Sequence, residues 1–127
     1  MEAVVHLDTH VVMWLFAGDR RRLKPVWKTL DRSDLVLSPM AVVELQFLYE
    51  IGRAKSPAEE VVAALVERVG LRVSDAPFAQ VALAAVDQSW TRDPFDRLIV
   101  ANAAVERKRL VTSDETVRAH YSRAIWR

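Results

Sequence analysis

Short runs of apolar and β-branched residues alternate along the chain with longer segments in which apolar residues recur every three or four positions. The short runs predict buried strands, and the longer segments predict helices with one buried face. Strands are predicted at 3–8, 35–37, 71–73, 110–112 and 124–126, and helices at 9–17, 26–32, 39–51, 57–69, 77–88, 94–108 and 115–120. This alternation predicts an α/β fold, a three-layer α/β/α sandwich around a mostly parallel sheet.

Capping residues support the helix limits that the periodicity predicts, most fully for the helix at 57–69. Ser56 is predicted as its N-cap and Pro57 as its first residue. Gly70 follows the last apolar position and is predicted to end the helix, since glycine readily adopts the left-handed conformation found there.

The length of 127 residues fits one domain, and no repeat, linker or low-complexity tract divides it, so a single domain is predicted over 1–127. The absence of cysteine excludes a disulfide framework, a thiolate zinc site and a cysteine nucleophile. No apolar stretch approaches the roughly 18–20 residues of a membrane span. The opening MEAVVHLD lacks the basic residues of a signal peptide. We therefore expect a cytoplasmic protein that does not enter a membrane.

Most catalytic motifs are absent from the sequence. Its three glycines form no GxGxxG, no P-loop and no GxSxG elbow. His6 and His10 are four residues apart, but His6 lies in a predicted strand, so the two do not share a helix face as zinc ligands would. His120 stands alone near the C-terminus. We expect all three histidines to be structural or surface residues.

Four aspartates occupy positions where they could act at a site. Asp8 and Asp114 each follow a predicted strand, at the carboxyl ends beyond which α/β proteins bind their ligands. Asp93 and Asp96 lie at the start of the helix at 94–108. Each also has an ordinary interpretation, since an aspartate before or within the first turn stabilises the N-terminus of a helix.

Glu44 has no such interpretation, because it lies in the middle of a predicted helix. The residues three and four positions away from it are all apolar: Met40, Ala41, Phe47 and Leu48. Glu44 therefore lies on the face that packs inward, where a glutamate is seldom tolerated without a partner or a metal ion. The alternative interpretation is a buried ion pair with an arginine such as Arg97.

Asp8, Glu44, Asp96 and Asp114 come from separate elements that could meet at one edge of the sheet. Close carboxylates repel each other by about 1 kcal/mol per pair at the dielectric constant of water, and by ~4 kcal/mol at an effective value of about 20. Such a cluster is reasonable only if a divalent cation neutralises it, and all-oxygen ligands favour Mg²⁺ or Mn²⁺ over zinc. A site of this kind activates water and stabilises a phosphoryl group, which predicts phosphodiester hydrolysis.

The sequence also resembles the PIN-domain ribonucleases, in particular the toxin subunits of VapBC-type toxin–antitoxin pairs. The likeness covers nearly the whole chain in four segments: LDTHVVMWL at 7–15, LSPMAVVELQFLYEIGRAK at 37–55, RDPFDRLIVANA at 92–103 and LVTSDETVRAHY at 110–121. It implies a PIN-like fold and cleavage of RNA with Mg²⁺ or Mn²⁺. The acidic quartet of the family falls on the same four residues, Asp8, Glu44, Asp96 and Asp114, as metal-binding and catalytic groups.

The resemblance also implies supporting residues and partners. Asp93 matches a recurrent acidic or polar position, interpreted as a helix cap or a support for the metal ligands. Thr112 and Ser113 match hydroxyl positions that could orient a ligand or water. Family members commonly form homodimers, and a small antitoxin inserts a segment near the acidic site. We therefore expect an RNA substrate, an antitoxin partner and a homodimer.

The charge balance agrees with a polyanionic substrate. The chain has 18 Lys and Arg against 17 Asp and Glu, so setting aside the four acids of the quartet leaves 13 acids and a surplus of five basic residues elsewhere. The densest basic cluster comprises Arg20, Arg21, Arg22, Lys24 and Lys28. Trp14 could stack on a base, but it lies in an apolar helix and is predicted to belong to the core.

Three other functions can be compared with the sequence, and two of them, a flap-type nuclease and a non-catalytic module, remain as alternatives. A DNA-directed flap-type nuclease would share the acidic site, although such enzymes carry DNA-gripping insertions that this chain lacks. A phosphoryl-transfer or response-regulator-like domain would need a paired Asp after the first strand and a late Lys, and neither is present. A non-catalytic RNA- or protein-binding module would use the acids only as caps, which does not account for Glu44.

Overall fold

The computed structural model describes residues 3–127, so the first two residues of the predicted domain lie outside it. Its centre is a five-stranded sheet in the order β3-β2-β1-β4-β5. Every pairing in that sheet is parallel. The strands are β1 (Ala3–Leu7), β2 (Ser33–Leu37), β3 (Arg72–Val73), β4 (Arg109–Val111) and β5 (Ala124–Ile125).

Helices connect the strands and cover both faces of the sheet. They are α1 (Thr9–Ala17), α2 (Arg20–Leu23), α3 (Trp27–Asp31), α4 (Pro39–Glu50), α5 (Ala58–Val69), α6 (Phe78–Ala85), α7 (Pro94–Glu106) and α8 (Glu115–His120), with a 3₁₀ turn at Lys24–Val26. Successive residues of a strand point to opposite faces, and Val5, His6 and Leu7 are all essentially inaccessible to solvent. The predicted three-layer α/β/α architecture is therefore confirmed. No helix within residues 3–127 is long and apolar enough to cross a membrane.

Two predictions about the helices were wrong in detail. Pro57, not Ser56, is the N-cap of α5, and its extended backbone precedes the first helical residue. The amide of Ala58 instead donates a hydrogen bond, at 3.1 Å, to the side-chain oxygen of Gln46, twelve residues earlier on α4. The Ala58 amide has no acceptor within its own helix, and Gln46 supplies one. Local capping rules cannot predict an acceptor that is so distant in sequence.

The basic segment after α1 also differs from the prediction, which left it without structure. It forms the short helix α2, because the carboxylate of Asp19 accepts a hydrogen bond from the amide of Arg22 and caps the first turn. The helix α6 is shorter than predicted, since it ends at Ala85. α4, α7 and α8 lie close to their predicted limits.

The strand order determines where the chemistry can take place. β1 and β4 are neighbours at the centre of the sheet and run in the same direction, so their carboxyl ends share one edge. The amide of Asp8, just past β1, donates to the carbonyl of Val111 at the end of β4, at 3.0 Å. The chain segments that follow these two strands are therefore held side by side.

Candidate active site

A cavity of about 360 Å³ opens at the carboxyl edge of β1 and β4. Its lining contains all four carboxylates of the predicted quartet, together with two of the three predicted supporting residues. The full lining is Asp8, His10, Val11, Trp14, Glu44, Asp93, Asp96, Ser113 and Asp114. No lysine or arginine is among the described residues that line it, so the cavity is strongly acidic.

Thr112 fixes the two aspartates that follow the central strands. Its buried hydroxyl donates to Oδ2 of Asp8 at 2.6 Å and accepts from the amide of Asp114 at 3.1 Å. The other oxygen of Asp8, Oδ1, accepts from the amide of Thr9 at 2.8 Å. Thr112 therefore lies behind the cavity, where it orients the Asp8 carboxylate and holds the backbone of Asp114.

Glu44 reaches the cavity from the middle of α4, half-buried. Its Oε1 accepts a hydrogen bond from the hydroxyl of Thr9 at 2.5 Å. The alternative interpretation, a buried ion pair with Arg97, is wrong, because the Arg97 side chain instead donates from Nε to the carbonyl of Gln88 at 2.9 Å. Glu44 thus faces the other acids with a neutral hydroxyl as its partner.

Asp93 and Asp114 are helix caps and also line the cavity. Oδ1 of Asp93 accepts from the amides of Phe95 and Asp96, at 2.8 and 3.2 Å. Oδ1 of Asp114 accepts from the amide of Val117 at 3.0 Å. Both capping interpretations are confirmed, and neither keeps the carboxylate away from the cavity, since a carboxylate has lone pairs left after accepting one or two hydrogen bonds.

Three helices begin at the cavity. Asp8, Asp93 and Asp114 are the N-caps of α1, α7 and α8 respectively. The N-terminus of a helix carries a partial positive charge that stabilises nearby anions by roughly 0.3–1 kcal/mol each. The fold therefore supplies some positive potential to an otherwise acidic cavity.

Burial and mutual repulsion still disfavour full ionisation of the cluster. Burial, followed by the charges of Asp93, Asp8, Glu44 and Asp114, raises the pKa of Asp96 to about 7. Burial is also the main cause that raises the pKa of Glu44, and the charge of Asp8 adds to it. For Asp8, burial raises the pKa against the opposing hydrogen bond from Thr112. A cation in the cavity would therefore lower these pKa values and favour the ionised carboxylates.

The donor set fits a hard divalent cation. The four carboxylates offer oxygen ligands, which Mg²⁺ and Mn²⁺ prefer, and there is no thiolate in the chain. Within residues 3–127, no three Asp, Glu or His side chains are gathered as closely as the ligands of a bound ion.

Sequence reasoning missed two residues of the site, Thr9 and His10. Both lie in the first turn of α1, directly after Asp8, and that position was the available signal. His10 is exposed, as expected of the histidines, but it also lines the cavity. His6 is buried, with Nε2 at 2.5 Å from Oε1 of Glu106, and the His120 ring stacks on Trp90.

Comparison with known proteins places this geometry in context. The family model described as PIN domain matches residues 5–122. The chain is 32% identical over 119 residues to Ribonuclease VapC22 of Mycobacterium tuberculosis, which covers 91% of each chain. In fold it is similar to VapBC2 from Rickettsia felis bound to a promoter DNA fragment (TM-score 0.69, 15% identity, 96% of each chain). A toxin–antitoxin complex from Klebsiella pneumoniae is similar to the same degree (TM-score 0.68, 18% identity, 95% of each chain).

The raised pKa of Asp96 predicts how the metal-free protein responds to pH. Between about pH 4 and 7 the folded state retains a proton that the unfolded state has lost, so the free energy of unfolding falls as the pH rises through this window. In EDTA at pH 8, Asp96→Asn should therefore melt higher than the wild type, by ~3–10 °C for about 1–2 kcal/mol after allowing for solvent screening.

Thermal melts of the two proteins at pH 8 and near pH 4 measure this difference. The advantage of Asp96→Asn should vanish near pH 4, and it should reverse in saturating Mg²⁺, since the ion stabilises mainly the intact cluster. Glu67→Gln, which removes an exposed acid of α5, is the matched control and should change neither comparison. A variant that melts lower than the wild type at pH 8 in EDTA would contradict the repulsion argument.

Proposed function

The chain belongs to the PIN-domain family, and on that premise we propose that it is a metal-dependent endoribonuclease, the toxin of a toxin–antitoxin pair. The observation that carries this proposal is the gathering of Asp8, Glu44, Asp96 and Asp114 in one cavity that no lysine or arginine neutralises. The relative from Mycobacterium tuberculosis, named a ribonuclease, supports the activity, and the similarity in fold to toxin–antitoxin complexes supports the biological role.

In the proposed mechanism these four carboxylates would hold Mg²⁺ or Mn²⁺. The chemistry that such an ion would supply is an activated water and stabilisation of negative charge on the phosphoryl group. Thr112 keeps the Asp8 carboxylate turned to the cavity, and Thr9 does the same for Glu44. With a cation bound, Asp96 would be ionised, because the positive charge would oppose the burial and repulsion that raise its pKa to about 7.

Helix capping contributes to the same mechanism. Asp93 fixes the first turn of α7 through the amides of Phe95 and Asp96, and thereby positions the Asp96 side chain. Asp114 fixes the first turn of α8. Ser113, between Thr112 and Asp114, lines the cavity, and in this proposal its hydroxyl orients a water or a phosphate oxygen. We assign Asp93, Thr112 and Ser113 to positioning rather than to metal binding.

The proposed partners are RNA, a small antitoxin protein and a second copy of the chain. Several large apolar side chains are exposed and available for contact with another protein. They include Phe78, Leu83 and Val86 on or next to α6, which are 66–74% exposed. A non-catalytic PIN-like module would use the same surfaces, and a flap-type nuclease would act on DNA, so the cleavage assay includes both outcomes.

The first test of this function is RNA cleavage by the purified chain. We expect single-stranded or loop RNA to be cleaved with Mg²⁺ or Mn²⁺ and left intact in EDTA, because without the ion the cavity repels phosphate. Glu44→Gln should abolish cleavage by removing a ligand charge while keeping the acceptor for Thr9. Asp93→Asn should retain much of the activity, since an amide oxygen still caps α7.

Equal loss of activity in Glu44→Gln and Asp93→Asn, with unchanged circular dichroism, would show that Asp93 belongs with the metal ligands. Full RNase activity in EDTA, from protein free of contaminating nuclease, would refute metal dependence. Cleavage of DNA but not RNA would favour the flap-type nuclease. Binding of RNA without cleavage of either nucleic acid would favour the non-catalytic module.

The second test concerns the role as a toxin. Expression of the wild-type chain alone in bacteria should arrest growth, whereas Asp8→Asn should not, because it removes the charge of the most deeply buried carboxylate of the cavity. Growth curves after induction, with immunoblots to establish equal protein levels, make the comparison. Equal toxicity of the two forms would show that growth arrest does not depend on the acidic site.

A further inference from the structure

A groove of about 700 Å³ adjoins the acidic cavity, and the two share His10, Trp14, Glu44 and Asp93 in their linings. Beyond these shared residues the groove is lined by basic, aromatic and aliphatic side chains. They are Met13, Arg22, Phe47, Leu48, Ile51, Arg53, Pro94 and Phe95. The groove thus extends from the acids to two arginines, Arg22 and Arg53, which have no role in the acidic site itself.

Two arginines of α2, Arg20 and Arg22, pack against different tryptophans. Arg22 lines the groove, with its guanidinium carbon 5.4 Å from the centre of the Trp14 ring. Arg20 instead covers Trp27, at 3.8 Å from the ring centre, and neither residue of that pair lines the groove. Of the two arginine–tryptophan pairs, only Arg22 with Trp14 lines the groove.

Arg22 is available to an anionic ligand. Its side chain is 62% exposed, and its Nε lies 3.7 Å from Oδ2 of Asp19 in an ion pair between residues three apart. Exposed pairs of this kind contribute little, about 0–1 kcal/mol, so a phosphate can replace the carboxylate at small cost. A guanidinium also binds phosphate in a bidentate manner.

Arg53 faces the groove from the end of α4. The left-handed conformation of Gly52 (φ 79°) turns the chain there, and the amide of Arg53 donates to the carbonyl of Leu48 at 2.8 Å. This turn fixes the backbone from which the exposed Arg53 side chain extends. The groove therefore carries one cation on α2 and a second beyond α4.

Aromatic rings form the wall between the acidic and basic ends. Trp14 is half-buried and braced edge-on by Trp126, with ring centres 6.0 Å apart. Phe47 is 45% exposed and packs against Phe95, with ring centres 5.6 Å apart. The prediction that Trp14 belongs to the core is correct in part, since it packs against the core and also lines the groove.

From this arrangement we propose that the groove positions the RNA strand next to the scissile phosphate, with Arg22 and Arg53 contacting backbone phosphates and Trp14 and Phe47 contacting a base. Single-stranded nucleic acids are bound in this way, by cations along the backbone and aromatic rings against the bases. The inference rests on the proposed ribonuclease function and assigns these residues to positioning of the substrate.

Charge distinguishes this groove from its more apolar neighbour. A second groove, between α4 and α5, is lined by Pro39, Val42, Val43, Gln46, Phe47, Glu50, Ala58, Glu59, Val62, Ala63, Val73 and Phe95. It has no basic residue among them and shares no lining residue with the acidic cavity, so it suits a protein segment better than a polyanion. The continuity of the arginine-lined groove with the four acids favours RNA as its occupant.

The test measures binding of a fluorescein-labelled, random-sequence single-stranded RNA of about ten nucleotides in Mg²⁺, by fluorescence anisotropy over a range of salt concentrations. All variants carry Glu44→Gln, so that the RNA stays intact. Arg22→Ala and Arg53→Ala should each raise Kd roughly three- to tenfold. Each should also reduce the slope of log Kd against log salt by about 0.7, the value for one phosphate contact to a single strand.

Arg20→Ala and Arg21→Ala are matched controls from the same helix and should leave Kd and slope near the values of the parent. Arg22→Lys should retain the slope, because it keeps the charge. Thermal melts of each variant separate a change in binding from a loss of fold. A structural role for Arg22 would lower the melting temperature without changing the salt slope, which would overturn the proposal.

The remaining outcomes distinguish the groove from the function. If the wild type cleaves RNA but Arg20→Ala and Arg21→Ala lose as much affinity as Arg22→Ala, the groove assignment is wrong and the ribonuclease proposal stands. If Arg22→Ala and Arg53→Ala bind RNA normally and instead lose affinity for a protein partner, the groove serves that partner and the inference is overturned. If the wild type neither binds nor cleaves RNA, both proposals fail.

Discussion

Repulsion among carboxylates in one partly buried cavity is the constraint that the surrounding structure has to meet. Three helices begin there, and their N-termini direct partial positive charge at the acids. Thr9 and Thr112 donate hydrogen bonds to Glu44 and Asp8, which favours their ionised forms. These contributions offset only part of the free-energy cost of ionising the acids, since burial and the neighbouring carboxylates still raise the pKa of Asp96 to about 7. The proposed cation supplies the rest of the positive charge.

The parallel sheet explains why caps and site acids coincide. Each central strand ends at the same edge and is followed by a helix, so the residue between strand and helix is both an N-cap and a neighbour of the ligand site. Asp8 and Asp114 occupy these two junctions after β1 and β4. Capping uses one oxygen of Asp114 and leaves the other free of the helix amides, so stability and chemistry do not compete for the side chain.

The sequence alone was sufficient to predict the layers of the fold and the meeting of four acids at one edge of the sheet. It was not sufficient to predict which residues line the groove. Strand ends and the apolar neighbours of Glu44 are local signals, readable from spacing. By contrast, nothing local shows that Arg22 rather than Arg20 lines the groove, since that depends on which tryptophan each packs against. The hydrogen bond from the Ala58 amide to Gln46 escaped prediction for the same reason, because the acceptor comes from another helix.

The most direct test of the account is calorimetric titration of Mn²⁺ into the metal-free protein at pH 6, in two buffers of different ionisation enthalpy. Binding should be saturable and should release protons, because Asp96, with a pKa of about 7, is mostly protonated at that pH and must ionise to bind the ion. The release should diminish at pH 8, and Asp96→Asn should bind much more weakly. Absence of saturable binding, or equal binding by Asp96→Asn, would contradict the account.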